Sequence, residues 1–165
     1  MSKSALPGIA LPGLVWRWCR FDAVDVHELQ GIHRARQQVF VVEQACAFVD
    51  ADEYDEAAFH LAAWSSTQRE PAAYARVLDP GIKYAEPSIG RVLTAASARG
   101  QGLGRELVAR ALAQAQAVWP GHSIRIGAQS RLECFYAGFG FVVAGEPYVE
   151  DGIPHVEMLR TGRVP

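Results

Sequence analysis

The chain has 165 residues, half of them hydrophobic, and a formal net charge of −2. That length suits one domain around one substantial core, and the charge leaves no basic stripe for nucleic acid. No apolar run approaches the roughly 18 residues of a bilayer span. Three cysteines, Cys19, Cys46 and Cys134, lack CxxC spacing, which argues against a disulfide framework and against a zinc cluster. Reduced thiols in a cytoplasmic protein are the simplest account of them.

The N-terminal stretch is apolar but broken by Pro7, Gly8, Pro12 and Gly13. Without a continuous hydrophobic run or a cleavage site it does not read as a signal peptide. Residues 1–14 are therefore expected to form a flexible tail, and residues 15–161 a single domain. Trp16 to Arg20 alternates as a first strand, and Asp22 offers an N-cap for a helix running to about Val39. Val26, Leu29, Ile32 and His33 fall on the inner face of that helix. Asp50, Asp52, Glu53, Asp55 and Glu56 form an acidic run whose spacing is not that of an EF-hand. It reads as a solvated loop; attraction of a cationic amine and binding of a metal are the alternative roles.

Phe59 to Trp64 and Ala72 to Leu78 read as a hairpin, and Ser88 to Thr94 as the next strand. A helix from about Gly102 to Val118 sets Leu103, Leu107, Val108, Ala111, Leu112 and Ala115 along one face, and Trp119-Pro120-Gly121 ends it. Ile124 to Ala128 follows as a strand, Arg131 to Ala137 as a helix, and Phe141 to Ala144 and His155 to Arg160 as closing strands. The alternation predicts an α+β domain, a mixed sheet with helices on both faces.

Arg99-Gly100-Gln101-Gly102-Leu103-Gly104 sits between the Ser88 to Thr94 strand and the long helix. A glycine turn that opens a helix offers main-chain N–H groups and the positive helix end to a phosphate. Arg105-Glu106 follows Gly104 where a P-loop needs Lys-Ser/Thr, and the glycine spacing is not that of a dinucleotide fold. The pattern Arg/Gln-x-x-Gly-x-Gly/Ala is matched in full. A second element, Gln129-Ser130-Arg131-Leu132-Glu133-Cys134-Phe135-Tyr136-Ala137-Gly138-Phe139, places an amide at a strand end and then Phe-Tyr before Gly-Phe.

In that order the two elements resemble the GNAT superfamily of acyl-CoA N-acyltransferases. Gln38 to Gln44 with Cys46, Tyr74-Ala75-Arg76, Ile89-Gly90-Arg91-Val92 and Glu150-Asp151-Gly152-Ile153-Pro154-His155 extend the likeness to its ElaA-type members over nearly the whole chain. Two departures stand out: Gln129 where Asn is usual, and Ala47 where Pro often follows the cysteine. The resemblance implies the GNAT fold, a mostly antiparallel twisted sheet with a central pair of parallel strands splayed apart. It also implies that Val39 to Val42 continues into a turn and a second short helix.

By the same resemblance, acetyl-CoA is the acyl donor and a primary amine of a small molecule or peptide the acceptor, and two copies can pair as a homodimer. Main-chain groups of Val92, Leu93 and Thr94 would take the pantetheine arm, with the Leu93 N–H polarising the thioester. The amides of Gly100, Gln101, Gly102, Leu103, Gly104 and Arg105 would take the pyrophosphate, with Arg99 and Arg105 adding charge or standing as solvated surface groups. Gln129 would also touch the cofactor. Tyr136 suits the proton donor to the departing thiolate; the alternative is a tyrosine that only contacts the cofactor sulfur. Glu43 is the candidate base, with His60 and His155 as further cleft residues and a water chain as an alternative. Arg76, Arg91 and His155 are candidate acceptor contacts, and the two arginines read equally as internal salt bridges. No metal is implied. A ping-pong route through Cys134 or Cys46 and a non-catalytic acyl-CoA sensor are the competing functions.

Overall fold

The computed structural model describes residues 13–162. The expected tail lies outside this range except at its end, where Leu14 opens the first strand and pairs with Ser65. In chain order the elements are β1 (Leu14–Arg20), α1 (Val26–Arg36), β2 (Phe59–Ser65), β3 (Ala73–Leu78), β4 (Ser88–Thr94) and α2 (Leu103–Val118). After them come β5 (Ile124–Gln129), α3 (Glu133–Ala137), β6 (Val142–Val143), β7 (Tyr148–Glu150) and β8 (Ile153–Arg160). The sheet runs β1-β2-β3-β4-β5-β8-β6, with β7 also on β8. Among the described residues only β4 and β5 pair in parallel; the other pairings are antiparallel.

Side chains alternate across the sheet, so β2 and β3 supply both layers of the core. Leu61, Ala63, Ala73, Ala75 and Val77 bury against the apolar face of α2. Ala62, Tyr74 and Leu93 face the other way, against Ile32 and Ala35 of α1. Helices thus cover both faces of a mixed sheet, as the alternation of apolar residues predicts.

The start of α1 differs from the sequence expectation. Asp22 lies in a short 3-10 turn, Phe21–Ala23, and Asp25 is the cap. Its Oδ1 accepts from the N–H groups of His27 (2.8 Å) and Glu28 (2.9 Å), while Glu28 returns a carboxylate oxygen to the Asp25 N–H at 3.2 Å. This reciprocal box satisfies donors at both ends of the first turn, which Asp22 alone cannot match. Val26, at the first helical position, is consequently 75% exposed and not part of the inner face. Beyond Arg36 the chain continues as a wider π-helical turn, Gln37–Glu43, in place of a separate short helix.

β7 was absent from the sequence expectation, although Asp151-Gly152 marks it. Both residues have positive φ, 51° and 78°, as the two central residues of a tight hairpin turn require. The hairpin pairs Tyr148 with His155 and Glu150 with Ile153.

The acidic run is not a solvated loop. Asp50 and Asp55 are buried, and so is Arg36, which is fully enclosed. Arg36 donates from Nε to Asp50 Oδ2 (2.6 Å), from Nη1 to Asp55 Oδ1 (2.7 Å) and from Nη2 to the Asp50 carbonyl (2.7 Å). Arg76 donates to Asp52 and, at 2.7 Å, to Asp55. Arg91 reaches Asp52 at 3.2 Å and stands 2.9 Å from Asp50. Three arginines from α1, β3 and β4 thereby close the 50–55 segment onto the sheet, with their charges balanced by three aspartates. A buried charge is stable only when paired and hydrogen-bonded, and no local pattern in the sequence announces partners so far apart.

Candidate active site

The parallel pair opens almost at once. Ser88 and Arg125 are its one matched position, tied by the Arg125 N–H to the Pro87 carbonyl at 3.0 Å. Beyond it β5 follows β8 along its full length, from Ile124↔Arg160 to Gln129↔His155, and β4 stays with β3. A bulge in β4 widens the gap. Tyr74 pairs with Leu93 and Arg76 with Gly90, which leaves Arg91 and Val92 opposite Ala75 alone. Arg91 there has φ +50°, a conformation that costs a non-glycine residue free energy, and its guanidinium is held in place by Asp50 and Asp52.

The gap is a cleft of about 600 Å³. Val92, Leu93 and Thr94 form one wall, Ile126, Gly127, Ala128 and Gln129 the other, and Glu43, Arg76, Arg91, Arg99, Gly104, Tyr136 and His155 all line it. Most of the expected site residues are thus gathered in one place. Gly100, Gln101, Gly102, Leu103 and Arg105 stand outside the walled volume, at the α2 end.

The Ala95 N–H donates to the Ala72 carbonyl at 2.9 Å. Because main-chain groups alternate sides along a strand, those of Leu93 also turn toward β3, and those of Thr94 turn to the gap. The Leu93 amide is therefore misplaced as a thioester donor by one residue; its buried side chain packs against α1 instead.

Gly102 caps α2 with φ +79°, and Gly100 has φ +78°. The N–H groups of Gly102, Leu103 and Gly104 have no acceptor among the described residues, whereas Arg105 N–H already donates to the Gly102 carbonyl at 3.0 Å. These free donors at the positive end of a sixteen-residue helix suit an anion. Arg105 lies over the rings of Phe135 and Phe139, 5.9 and 5.8 Å from their centroids, and has no carboxylate partner among the described residues. Arg99 is committed: its Nε donates to the Thr94 carbonyl (3.1 Å) and its Nη2 to Glu43 (2.7 Å).

The loop separates two kinds of glycine. Gly102→Ala is expected to lose about 1–2 kcal/mol of stability, since a Cβ disfavours the left-handed region. Gly104 is helical, and a Cβ there meets only Thr94 Cγ2 at 3.8 Å. Gly104→Ala should therefore unfold at equal or higher urea concentration, with a gain of up to about 1 kcal/mol.

Tyr136 projects from α3 and is 6% exposed. It packs edge-on to Phe135 (5.1 Å) and Phe141 (6.0 Å). Burial pushes its phenol up to about 12, only partly opposed by the charge of Arg131, so it is a protonated donor at neutral pH. Gln129, at the end of β5, donates from Nε2 to Gln44 Oε1 (3.2 Å) and accepts from Arg131 Nε (3.0 Å). Of the candidate bases, Glu43 is held by Arg99 at the cleft mouth. His60 does not line the cleft; it is buried, with Nδ1 2.8 Å from the Tyr74 hydroxyl and Nε2 3.0 Å from the Asp55 carbonyl. Burial lowers its basicity, against the opposing effect of its bond to Asp55.

Sequence reasoning missed Tyr84, Tyr148 and Glu150. Tyr84 and Glu150 line the cleft, and the hydroxyls of both tyrosines lie over Gly127 of β5. The Asp-Gly hairpin signal would have found two of the three, because it sets Tyr148, Glu150 and His155 on one face.

A splayed parallel pair, a bulge and a glycine-capped helix meet around one cleft, a framework that suits an acyltransferase. Residues 25–161 match the family model of the acetyltransferase (GNAT) domain, and the chain belongs to the GNAT acetyltransferase family. Its relatives include the protein ElaA of Escherichia coli, 35% identical over 147 residues that cover 88% of this chain and 95% of that protein. A UPF0039 protein of Synechocystis sp. is 41% identical over 144 residues, 87% of this chain and 93% of its own. Among solved structures, an acyl-CoA N-acyltransferase from Pseudomonas aeruginosa is 38% identical with a TM-score of 0.86, covering 90% of this chain and 100% of that one. The chain is thus an enzyme of the GNAT N-acetyltransferase type, similar to ElaA. Among the described residues no helix is long and apolar enough to cross a membrane.

Proposed function

We propose that this enzyme moves an acetyl group from acetyl-CoA directly to a primary amine of a small molecule or peptide, in the cytoplasm. The observation that carries the reading is Tyr136, a buried and protonated phenol on the wall of the same cleft that ends at the α2 N-terminus. Bound there, acetyl-CoA would supply an activated thioester. The free amides of Gly102, Leu103 and Gly104, with Arg105 beside them, suit its pyrophosphate. The Thr94 N–H faces the gap and can bond the pantetheine arm as a missing strand would. Tyr136 gives its hydroxyl proton to the thiolate as the C–S bond breaks.

The competing cysteine route finds little support. Cys134 is exposed and does not line the cleft. Cys46 does, but its Sγ donates to the Asp151 carbonyl at 3.1 Å, and no base bonds to it among the described residues. Calorimetry with acetyl-CoA, paired with thiol release across a panel of amines, tests the reading. Binding with turnover on at least one primary amine is expected; tight binding with no turnover on any would make the protein a sensor.

A further inference from the structure

His155, so far only a candidate acceptor contact, lines the same cleft as Glu150, which has had no role in the chemistry. His155 lies on β8 opposite Gln129, the last residue of β5. The residue is 9% exposed, and its ring is stacked on Tyr148 at 5.6 Å. Nδ1 is 2.7 Å from the Ile153 carbonyl. A carbonyl only accepts, so Nδ1 carries the hydrogen, and the neutral ring keeps its one lone pair at Nε2. Nε2 is 3.8 Å from Glu150 Oε2. Two acceptors at that spacing can both take a hydrogen bond from a single ammonium group, which has three donors.

The pair itself, a carboxylate beside a free lone pair, favours a cation. The charged and titratable groups against His155 are Tyr148 and Glu150 from β7; Tyr84, bonded to Tyr148, and Arg131, bonded to Gln129, line the same cleft. Of the cations that line the cleft, Arg76 and Arg91 are held by Asp50, Asp52 and Asp55, Arg99 by Glu43 and Arg131 by the Gln129 amide, while Lys83 lies over the Tyr84 ring. We propose that the acceptor is an alkylammonium bound between Glu150 and His155, and that His155 Nε2 removes its proton before attack. This deepens the acyltransferase reading above and rests on it.

The step balances as follows. One N–H bond of the ammonium breaks and its proton goes to Nε2, leaving an imidazolium beside the Glu150 carboxylate. The freed lone pair forms the C–N bond at the thioester carbonyl, and a second N–H proton leaves as the adduct collapses. One proton reaches the thiolate through Tyr136, and one passes from His155 to solvent. Ammonium and thioester thus become amide, thiol and a proton, with no oxidant or metal.

The test compares wild type, His155→Asn and Glu150→Gln on an alkylamine and on hydroxylamine, which is already neutral at assay pH. His155→Asn should cut kcat/KM for the alkylamine by about 10²–10⁴-fold. On hydroxylamine it should act nearly as wild type. Glu150→Gln, at a more exposed position, should raise KM for the alkylamine while kcat for hydroxylamine holds. Full alkylamine activity in both variants, or equal losses on both acceptors, overturns the proposal. A His155→Asn chain that does not fold leaves the decision to Glu150→Gln on the same criteria. Wild-type protein that binds acetyl-CoA yet acylates no amine removes the acyltransferase reading itself, a different result from either.

Discussion

Replacing Arg36 by alanine should lower the unfolding free energy by about 3–5 kcal/mol, the usual cost of removing one partner from a buried ion pair. The side chain is 0% exposed, and all three of its nitrogens are bonded to the 50–55 segment. Its loss strands Asp50 and Asp55 in the interior, where Arg76 and Arg91 compensate only in part. Since whole domains are stable by roughly 5–15 kcal/mol, the variant should unfold at far lower urea. Acid separates this from a simple packing defect. Burial alone would raise Asp55, but the hydrogen bonds and charges of Arg36 and Arg76 outweigh it and hold Asp55 at about 2, below its ordinary 3.8. A depressed folded value means that the stabilisation is complete above about pH 4 and is lost as pH falls toward 2. The gap between wild type and Asp55→Asn should therefore narrow steadily over that window, and a constant gap would count against the network. Because the same segment holds Arg91 in its positive-φ bulge, the Arg36 variant should also bind acetyl-CoA more weakly.

Tyr136→Phe carries the largest expected effect on catalysis, a fall in kcat of about 10²–10⁴-fold. The hydroxyl has no hydrogen-bond partner among the described residues, so phenylalanine keeps the contacts with Phe135 and Phe141. Stability should then stay within about 0.5–1 kcal/mol of wild type, and calorimetry should show acetyl-CoA binding little changed. A phenol held at about 12 remains protonated from pH 6 to 10, so Tyr136 should add no limb to the rate profile in that range. Wild-type kcat in the variant would show that the thiolate departs without this acid.

Much of the fold was legible because its signals are local. The apolar face of α2, from Leu103 to Ala115, follows from helical spacing, and the strand Ser88–Thr94 from β-branched residues ahead of a glycine turn. The Asp25 box shows how a local signal is misread when a nearer competitor, Asp22, is considered alone. The site was legible in its parts: Tyr136, Gln129 and Gly104 share one cleft because they lie at the ends of β5 and β4, where the parallel pair parts.

What stayed hidden depends on residues far apart in the chain. Nothing near Arg36 tells that it will be enclosed by Asp50 and Asp55, since a charged side chain normally faces water. The ladder to β3, and not the residues of β4, decides that Thr94 and not Leu93 turns its main chain to the gap. Likewise the Ile153 carbonyl decides which nitrogen of His155 is free. By itself the sequence determined most of the elements and the family, and it named Tyr136 as the candidate acid, because periodicity, turn chemistry and short motifs act over a few residues. Only the tertiary structure decided which charges are neutralised and which donors remain open, because both depend on what the folded chain brings within a few ångströms.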